Sequence, residues 1–343
     1  MAVKEASFEN ALDFAQRLIR TEGLPGEEGK VAEVVEAEMR ALGLRQVRVD
    51  EVGNVIGVVK GHGTAPPVAL ACHLDVVAEG DHSEWEFPPF SGAVEGGYLH
   101  GRGAMDIKGP LAVQTYAAAA MAGRAPGDII VAHTVLEEQG GLGMKVLLES
   151  GGLEPAWVVI GEATHGDICI GHRGRAELEI LIRGEAGHAS EPSRARNALD
   201  LVGDALAAVR DLDGHQPVDP VLGASTAVAT MIDVQPETRN VIPDQALIAV
   251  DWRILPDDRS DELVRRLREA VDRRLAEIPP GYQVDVRIAS VHQKTYTGFQ
   301  RSREMFSPGF LMDPAHPAIV AAAAAVGTRE SGDTPARVRP WRF

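Results

Sequence analysis

The first half of the chain alternates between apolar patterns typical of helices and of strands. Apolar residues recur at helical spacing in several segments, and short β-branched runs lie between them. We predict helices at residues 8–21, 28–44, from 108 onward and 143–149, and strands at residues 55–59, 68–71, 129–136 and 157–160. Because strands alternate with helices, this region is predicted to form an α/β domain with a mostly parallel sheet.

The pattern changes after Arg173. The segment RAELEILIRG alternates like a half-solvated strand, and the elements after it are predicted to be a helix at 197–209, strands at 227–234 and 246–254, a charged helix at 260–276 and a strand at 283–288. This β-α-β-β-α-β order matches a ferredoxin-like α+β sandwich. We therefore predict an inserted domain at residues 174–293 within a catalytic domain of residues 1–173 and 294–343.

The C-terminal segment returns to α/β character. From Thr295 onward, we predict a helix at residues 315–326 and a short strand at 336–339. The chain then ends at PARVRPWRF, where a further loop and helix are expected after the strand. We interpret this end as a truncation of the catalytic domain.

Composition and charge limit the classes of partner. The 343 residues are 45% hydrophobic but only 5% aromatic, and the net charge is −16. This charge argues against nucleic acid and anionic membranes as partners, because both would repel the chain. Cys72 and Cys169 do not form a disulfide framework. With neither an apolar signal core nor a membrane-length apolar run, we expect a cytoplasmic protein.

Chemically active side chains collect at the ends of the predicted strands. Open α/β sheets bind ligands beyond the carboxyl ends of their strands. One imidazole among several carboxylates, without a set of cysteine ligands, favours divalent metals and a hydrolytic water. The residues are His73 and Asp75 in ACHLDVV, Asp106 in GRGAMDIKGP, Glu137 and Glu138 in TVLEEQGG, and Glu162 in VVIGEAT.

His73 and Asp75 lie two positions apart at a strand end, so their side chains project from one face. His73 can ligate a metal while Asp75 accepts the proton of its other ring nitrogen. A purely structural role for the pair remains open. Asp106 can bridge two metals or, alternatively, cap the helix predicted to begin near Lys108.

The adjacent Glu137 and Glu138 end an apolar strand and would repel each other. A cation would relieve this repulsion by binding one of them, and the other could then act as general base toward water. The alternative is an ordinary solvated turn. Glu162 follows a separate strand, so four strand ends carry such groups, which favours one shared metal site.

The ordered motifs HLDVV, GRGAMDIKG, EEQGG and GEAT resemble the co-catalytic di-zinc family of aminoacylases, acetylornithine deacetylases, succinyl-diaminopimelate desuccinylases and related carboxypeptidases. The resemblance implies that His73 and Glu162 bind one zinc ion and that Asp106 bridges to a second. Glu138 would bind the second ion and Glu137 would be the general base. Two zinc ions per complete site are implied, with cobalt or manganese as alternatives.

The same resemblance extends to the predicted insert. His188 in RGEAGHAS matches a histidine that reaches the neighbouring active site in dimeric members, which implies a homodimer formed through the inserted domain. Asn240 and Arg253 match positions that contact substrate. The alternatives are a turn-forming role for Asn240 and an ion pair between Arg253 and Asp251 or Asp257.

One ligand of the family pattern has no counterpart. The family's second zinc is completed by a histidine near the C-terminus, and neither His292 nor His316 lies in the matching context. The implied reaction is amide-bond hydrolysis of an N-acyl amino acid or a related small substrate. The alternatives are a dipeptidase or carboxypeptidase of the same family, or a catalytically impaired metal-binding fragment.

Overall fold

The computed structural model describes residues 3–327 and 338–341. Its backbone separates into two compact units, one of Met1–His165 with His292–Arg301 and one of Gly166–Val291 with Ser302–Phe343. The second unit thus includes the segment after residue 301, and the domain boundaries at 173/174 and 293/294 remain predictions. No helix in the described part of the chain is both long and apolar enough to cross a membrane.

The first unit contains a five-stranded sheet and a small hairpin. Its strands are β1 (Arg45–Val49), β2 (Val55–Val59), β3 (Val68–His73), β4 (Ala93–Glu95), β5 (Tyr98–His100), β6 (Ile129–Thr134) and β7 (Trp157–Ile160). Its helices are α1 (Phe8–Arg20), α2 (Gly29–Ala41), α3 (Lys108–Ala120) and α4 (Leu142–Glu149).

The large sheet has the order β1-β2-β6-β3-β7 and is mixed. β3 runs parallel to both β6 and β7, because the connections between these strands pass through α3 and α4. At the other edge, β1 and β2 pair antiparallel across a short turn, and β2 is antiparallel to β6. Parallel pairing therefore holds among β6, β3 and β7, and the α/β class is confirmed.

Strand β1 is absent from the sequence prediction. Its sequence RQVRV presents charged residues on either side of a single buried valine, Val47. It pairs along β2, whose five residues are all buried. An edge strand with so little apolar surface gives no alternation signal of its own.

Helices cover both faces of the sheet. On one face α1, α2 and α3 bury an apolar core together with residues of β3 and β6; its members include Phe14, Leu18, Val35, Leu111 and Val131. On the other face a smaller cluster contains Ile56, Ala69, Ala132, Leu147 and Leu153. Apolar packing thus covers both faces of the sheet.

The second unit is built around an antiparallel sheet. Its strands up to residue 288 are β8 (Ile168–His172), β9 (Gly174–Arg183), β10 (Gly187–His188), β11 (Val218–Asp219), β12 (Gly223–Ala224), β13 (Thr226–Gln235), β14 (Val241–Ile242), β15 (Gln245–Ile254) and β16 (Gln283–Ile288). Its helices over the same stretch are α5 (Val202–Asp213) and α6 (Ser260–Leu275).

The main sheet of this unit has the order β13-β15-β9-β16 and every pairing in it is antiparallel. Alternate residues of β15 are buried, as expected for a sheet with one covered face. The apolar faces of α5 and α6 join that face in a single core around Trp252. The predicted ferredoxin-like α+β arrangement is confirmed.

The chain passes between the two units along β17 (Ser290–Lys294) and β18 (Gln300–Glu304). The remaining elements are β19 (Phe306–Ser307), β20 (Phe310–Leu311), α7 (Pro317–Gly327) and β21 (Val338–Trp341). β21 lies parallel to β8, on the opposite side from β20. Residues 336 and 337 of the predicted last strand lie outside the described residues.

Candidate metal centre

The carboxyl ends of three parallel strands bring the predicted ligands together. His73 is the last residue of β3 and pairs with Thr134 of β6, and two residues earlier Ala71 pairs with Ile160 of β7. Because parallel strands end at the same edge, the loops that follow them meet there. Those loops carry Asp75, Glu137, Glu138 and Glu162.

Four carboxylates surround the imidazole of His73. Its Nε2 lies 3.1 Å from Asp106 Oδ1, and 3.8 Å from both Glu137 Oε2 and Glu162 Oε1. One candidate ligand atom each from His73, Asp106 and Glu138 lies within 4.8 Å of the other two. All the proposed ligands and the proposed base therefore meet around one imidazole nitrogen.

Asp75 holds the His73 ring in one orientation. His73 Nδ1 donates to the main-chain carbonyl of Asp75 at 2.9 Å, and the nearer carboxylate oxygen of Asp75 lies 3.5 Å away. A carbonyl oxygen can only accept, so the proton is held on Nδ1 and Nε2 faces the carboxylates. The orienting contact is thus made mainly by the Asp75 carbonyl rather than by its side chain.

The Asp75 carboxylate also binds the loop that follows β6. It is fully buried, and its two oxygens accept the main-chain N–H groups of Glu137 at 3.1 Å and Glu138 at 3.0 Å. One side chain therefore links the histidine strand to the loop with the two glutamates. Asp106 approaches from the other side, in the loop just before α3, and its peptide bond to Ile107 is cis.

The pKa values reflect negative charge crowded into a partly buried site. Burial raises the pKa of Glu162 to about 7, and it also raises the pKa values of Glu137 and Glu138. For His73, burial acts to lower the pKa, but the hydrogen bonds with Asp106 and Asp75 outweigh it and raise the pKa to about 11. Burial thus favours the protonated forms of the three glutamates, while the neighbouring carboxylates favour a protonated His73.

This donor set fits a divalent metal ion. Imidazole nitrogen and carboxylate oxygen are ligands of zinc and of its neighbours in the first transition row. Within the described residues, no lysine or arginine forms an ion pair with Asp106, Glu137, Glu138 or Glu162. A cation would supply the missing positive charge and displace the proton from His73 Nε2.

In the second unit, two of the predicted substrate residues lie side by side. β10 pairs with β14 so that His188 faces Val241, and the Ala189 N–H donates to the Asn240 carbonyl at 3.1 Å. His188 and Asn240 are both exposed. Their side chains contact close sequence neighbours, with His188 Nδ1 lying 2.7 Å from the hydroxyl oxygen of Ser190.

Arg253 lies on β15 and forms an ion pair with Asp251. Arg253 Nε lies 3.0 Å from Asp251 Oδ1, while Arg175 Nε lies 2.6 Å from the other oxygen of the same carboxylate. The ion pair considered as an alternative is therefore present. Arg253 keeps about a third of its side chain exposed, at 35%, so its guanidinium can still be reached from solvent.

Two buried polar residues near the site are not predicted from the sequence. Asn54 and Glu28 are both fully buried, and each accepts a hydrogen bond from the loop that follows β6. Asn54 precedes an apolar strand and Glu28 precedes a helix, positions where polar residues are ordinary. Their partners are 81 and 108 residues away, a separation no local pattern reveals.

A family model described as peptidase family M20/M25/M40 matches residues 69–335. Succinyl-diaminopimelate desuccinylase of Phenylobacterium zucineum is 33% identical over 285 residues, which cover 77% of this chain and 73% of that protein. The uncharacterized protein YgeY of Escherichia coli K12 is 31% identical over 232 residues, 66% of this chain. The match spans 57% of the length of YgeY.

Solved structures share the fold. An M20 family metallo-carboxypeptidase, Sso-CP2 from Sulfolobus solfataricus, superposes with a TM-score of 0.73 at 14% identity. The alignment covers 96% of this chain and 85% of that one. The resemblance inferred from the four motifs is thereby confirmed at the level of family and fold.

Proposed function

The chain belongs to peptidase family M20/M25/M40, and on that premise we propose that it hydrolyses the amide bond of an N-acyl amino acid or a short peptide with the help of divalent metal. The observation that carries the proposal is the convergence of Asp106, Glu137 and Glu162 on His73 Nε2. A desuccinylase at 33% identity supports the acyl-amino-acid class of substrate.

His73, Asp106, Glu138 and Glu162 would hold the metal ions. Zinc is the proposed ion, two per complete site, with cobalt or manganese as alternatives, because a set of imidazole and carboxylate ligands does not select one of the three. When bound, such an ion polarises the scissile carbonyl and lowers the pKa of water. His73 contributes a nitrogen whose orientation is set by Asp75, and the carboxylates contribute the balancing negative charge.

Glu137 is the proposed general base. Its carboxylate is half exposed, so water and substrate can reach it, and partial burial raises its pKa above the ordinary value. A raised pKa improves a carboxylate as a proton acceptor near neutral pH. Glu137 would take a proton from the attacking water and deliver it to the leaving nitrogen.

His188, Asn240 and Arg253 are the proposed substrate residues. In a homodimer formed through the second unit, His188 would donate to the carbonyl oxygen as negative charge develops on it. The guanidinium of Arg253 suits a substrate carboxylate, which it can bind in bidentate fashion. A monomeric mass measured by light scattering would contradict the dimer. The proposed location of the protein is the cytoplasm.

A substrate panel tests this function. The metal-loaded protein should release amine from N-succinyl and N-acetyl amino acids faster than the variant Glu137→Gln, which retains the metal ligands. Faster cleavage of dipeptides than of acyl amino acids would identify a dipeptidase of the same mechanism. Metal-loaded protein that cleaves neither class, or whose turnover is unchanged by Glu137→Gln, would contradict the proposal.

A further inference from the structure

Four consecutive main-chain N–H groups after β6 are each held by a buried side chain. Val135 donates to Asn54 Oδ1 at 3.1 Å and Leu136 donates to Glu28 Oε1 at 3.0 Å. The next two donors are Glu137 and Glu138, and both donate to the Asp75 carboxylate. We name this set of acceptors, Glu28, Asn54 and Asp75, the amide cradle.

The cradle holds a backbone that would not adopt its shape unaided. Leu136 has φ of 55°, in the left-handed region that a leucine rarely occupies. Such a conformation persists only where the surrounding structure imposes it. It immediately precedes Glu137 and Glu138, so the Leu136 conformation decides where those two carboxylates point.

Asn54 is itself held in one orientation. Its Nδ2 donates to Asp50 Oδ2 at 2.7 Å and to the Gly143 carbonyl at 3.0 Å, which leaves Oδ1 to accept from Val135. A Cβ on Gly143 would lie 2.4 Å from Asn54 Oδ1, so only glycine permits this approach. Asn54 thus has a full set of partners and a structural reason to be buried.

Glu28 is different, because its burial is incompletely compensated. Its Oε1 accepts from Leu136, but Oε2 is buried without a hydrogen-bond partner among the described residues. It occupies the position before α2 yet its side chain does not cap that helix. Burying a polar atom without a partner destabilises the fold, so such an atom needs an explanation.

We infer that Glu28 is a positioning residue for the metal centre, and that its contact with the Leu136 N–H aims Glu137 and Glu138 toward His73. The expected effect of Glu28 on catalysis rests on the proposed function, whereas its expected effect on the Leu136 backbone does not. Residues that orient a metal ligand through a hydrogen bond typically change metal affinity by about 10- to 100-fold when they are replaced.

The test compares two variants of Glu28 with a matched control. Glu28→Met removes the acceptor at similar size, while Glu28→Gln keeps an oxygen for the Leu136 N–H. Glu38 supplies the control, because it is a buried glutamate of α2 whose partners are Lys4, Arg17 and Tyr116, outside the site. Glu38→Gln therefore reports what loss of a buried carboxylate does to the fold alone.

Two readouts need no substrate. In titrations with Co²⁺ alone, Glu28→Met should bind about 10- to 100-fold more weakly, whereas Glu28→Gln and Glu38→Gln should stay within a few-fold of wild type. Hydrogen exchange of the metal-free protein should show the Leu136 amide protected in wild type and exchanging at least about 10-fold faster in Glu28→Met.

The outcomes separate this inference from the proposed function. A protein that cleaves no amide but shows both effects would keep Glu28 as a positioning residue and reject the hydrolase. Equal Co²⁺ affinity in wild type and Glu28→Met would overturn the inference even if the protein is an active hydrolase. If Glu28→Met does not fold, the Leu136 amide is compared in wild type and Glu28→Gln. An unprotected amide in wild type overturns the inference, and an amide that is protected in both proteins supports it.

Discussion

The two units bury very different side chains. The first unit buries a series of polar and charged residues, most of them close to the carboxyl edge of its sheet: Glu28, Glu38, Asn54, His73, Asp75, Lys108, Thr115, His133, Thr134, Gln293 and Thr295. Among the described residues of the second unit, only Ser225 and Arg303 are buried polar residues. Because buried polar groups destabilise a fold unless they are paired, their concentration in one unit points to a function there.

The carboxylates differ in the same way. In the second unit they meet arginines at the surface, as Asp211 does with Arg274, whose hydrogen bond lowers the pKa of Asp211. Around His73, burial instead raises the pKa values of Glu137, Glu138 and Glu162. Among the described residues, the glutamates around His73 therefore lack the arginine partner that Asp211 has, and a bound cation would favour their ionised forms.

Replacing the proposed general base, Glu137, should have the largest effect. Glu137→Gln keeps the size of the side chain but removes the proton acceptor, so kcat should fall by about 10²- to 10⁴-fold with metal content unchanged. Steady-state kinetics with elemental analysis of the same samples would measure both. The control is Glu179→Gln on β9, which breaks a surface pair with Arg287 and should leave kcat as it is.

Asp75→Asn should have the next largest effect. An amide in place of the carboxylate leaves one oxygen for two N–H donors and turns an NH₂ group toward Glu137 or Glu138. We expect metal affinity to fall by about 10- to 100-fold, measured by calorimetric titration. Full metal affinity in this variant would show that the Asp75 carbonyl alone orients the site.

The stability of the metal-free protein should depend on pH through Glu162. Its pKa is about 7 in the fold against an ordinary 4.5, so the folded chain holds a proton that the unfolded chain has released. The free energy of unfolding should therefore fall as pH rises from 4.5 to 7. From these two pKa values, Glu162 contributes up to about 3 kcal/mol of this loss.

Urea unfolding at pH 5 and pH 8 measures this effect. Glu162→Gln cannot ionise, so its stability advantage over wild type should grow between the two pH values. An advantage that stays constant would mean that the fold does not raise the pKa of Glu162. Metal must be removed first, because a bound cation would favour the ionised form.

The smallest effect is expected at the surface of the second unit. Arg265 on α6 pairs with Glu262 and Glu269, and such exposed pairs contribute little to stability. Arg265→Gln should shift the melting temperature less than Glu162→Gln does at pH 8, as measured by calorimetry. A larger shift would contradict the view that only the first unit depends on its buried charges.

The sequence predicted what depends on local pattern and chain order. Strand ends follow directly from apolar runs, and parallel strands bring those ends together, so His73, Glu137, Glu138 and Glu162 were predicted to meet. Strand β1 was missed because its single buried valine leaves no alternation. The amide cradle was missed because Glu28 and Asn54 act on a loop far away in sequence, and only the folded backbone brings these residues together.

Metal content is the sharpest test of whether the carboxylates around His73 bind divalent metal. The purified 343-residue chain, dialysed against low-micromolar zinc, should retain at least one ion per chain by elemental analysis, and His73→Ala should lose it. Two retained ions would mean that the second site is also complete. A wild-type chain that retains no more metal than His73→Ala would contradict metal binding at this site.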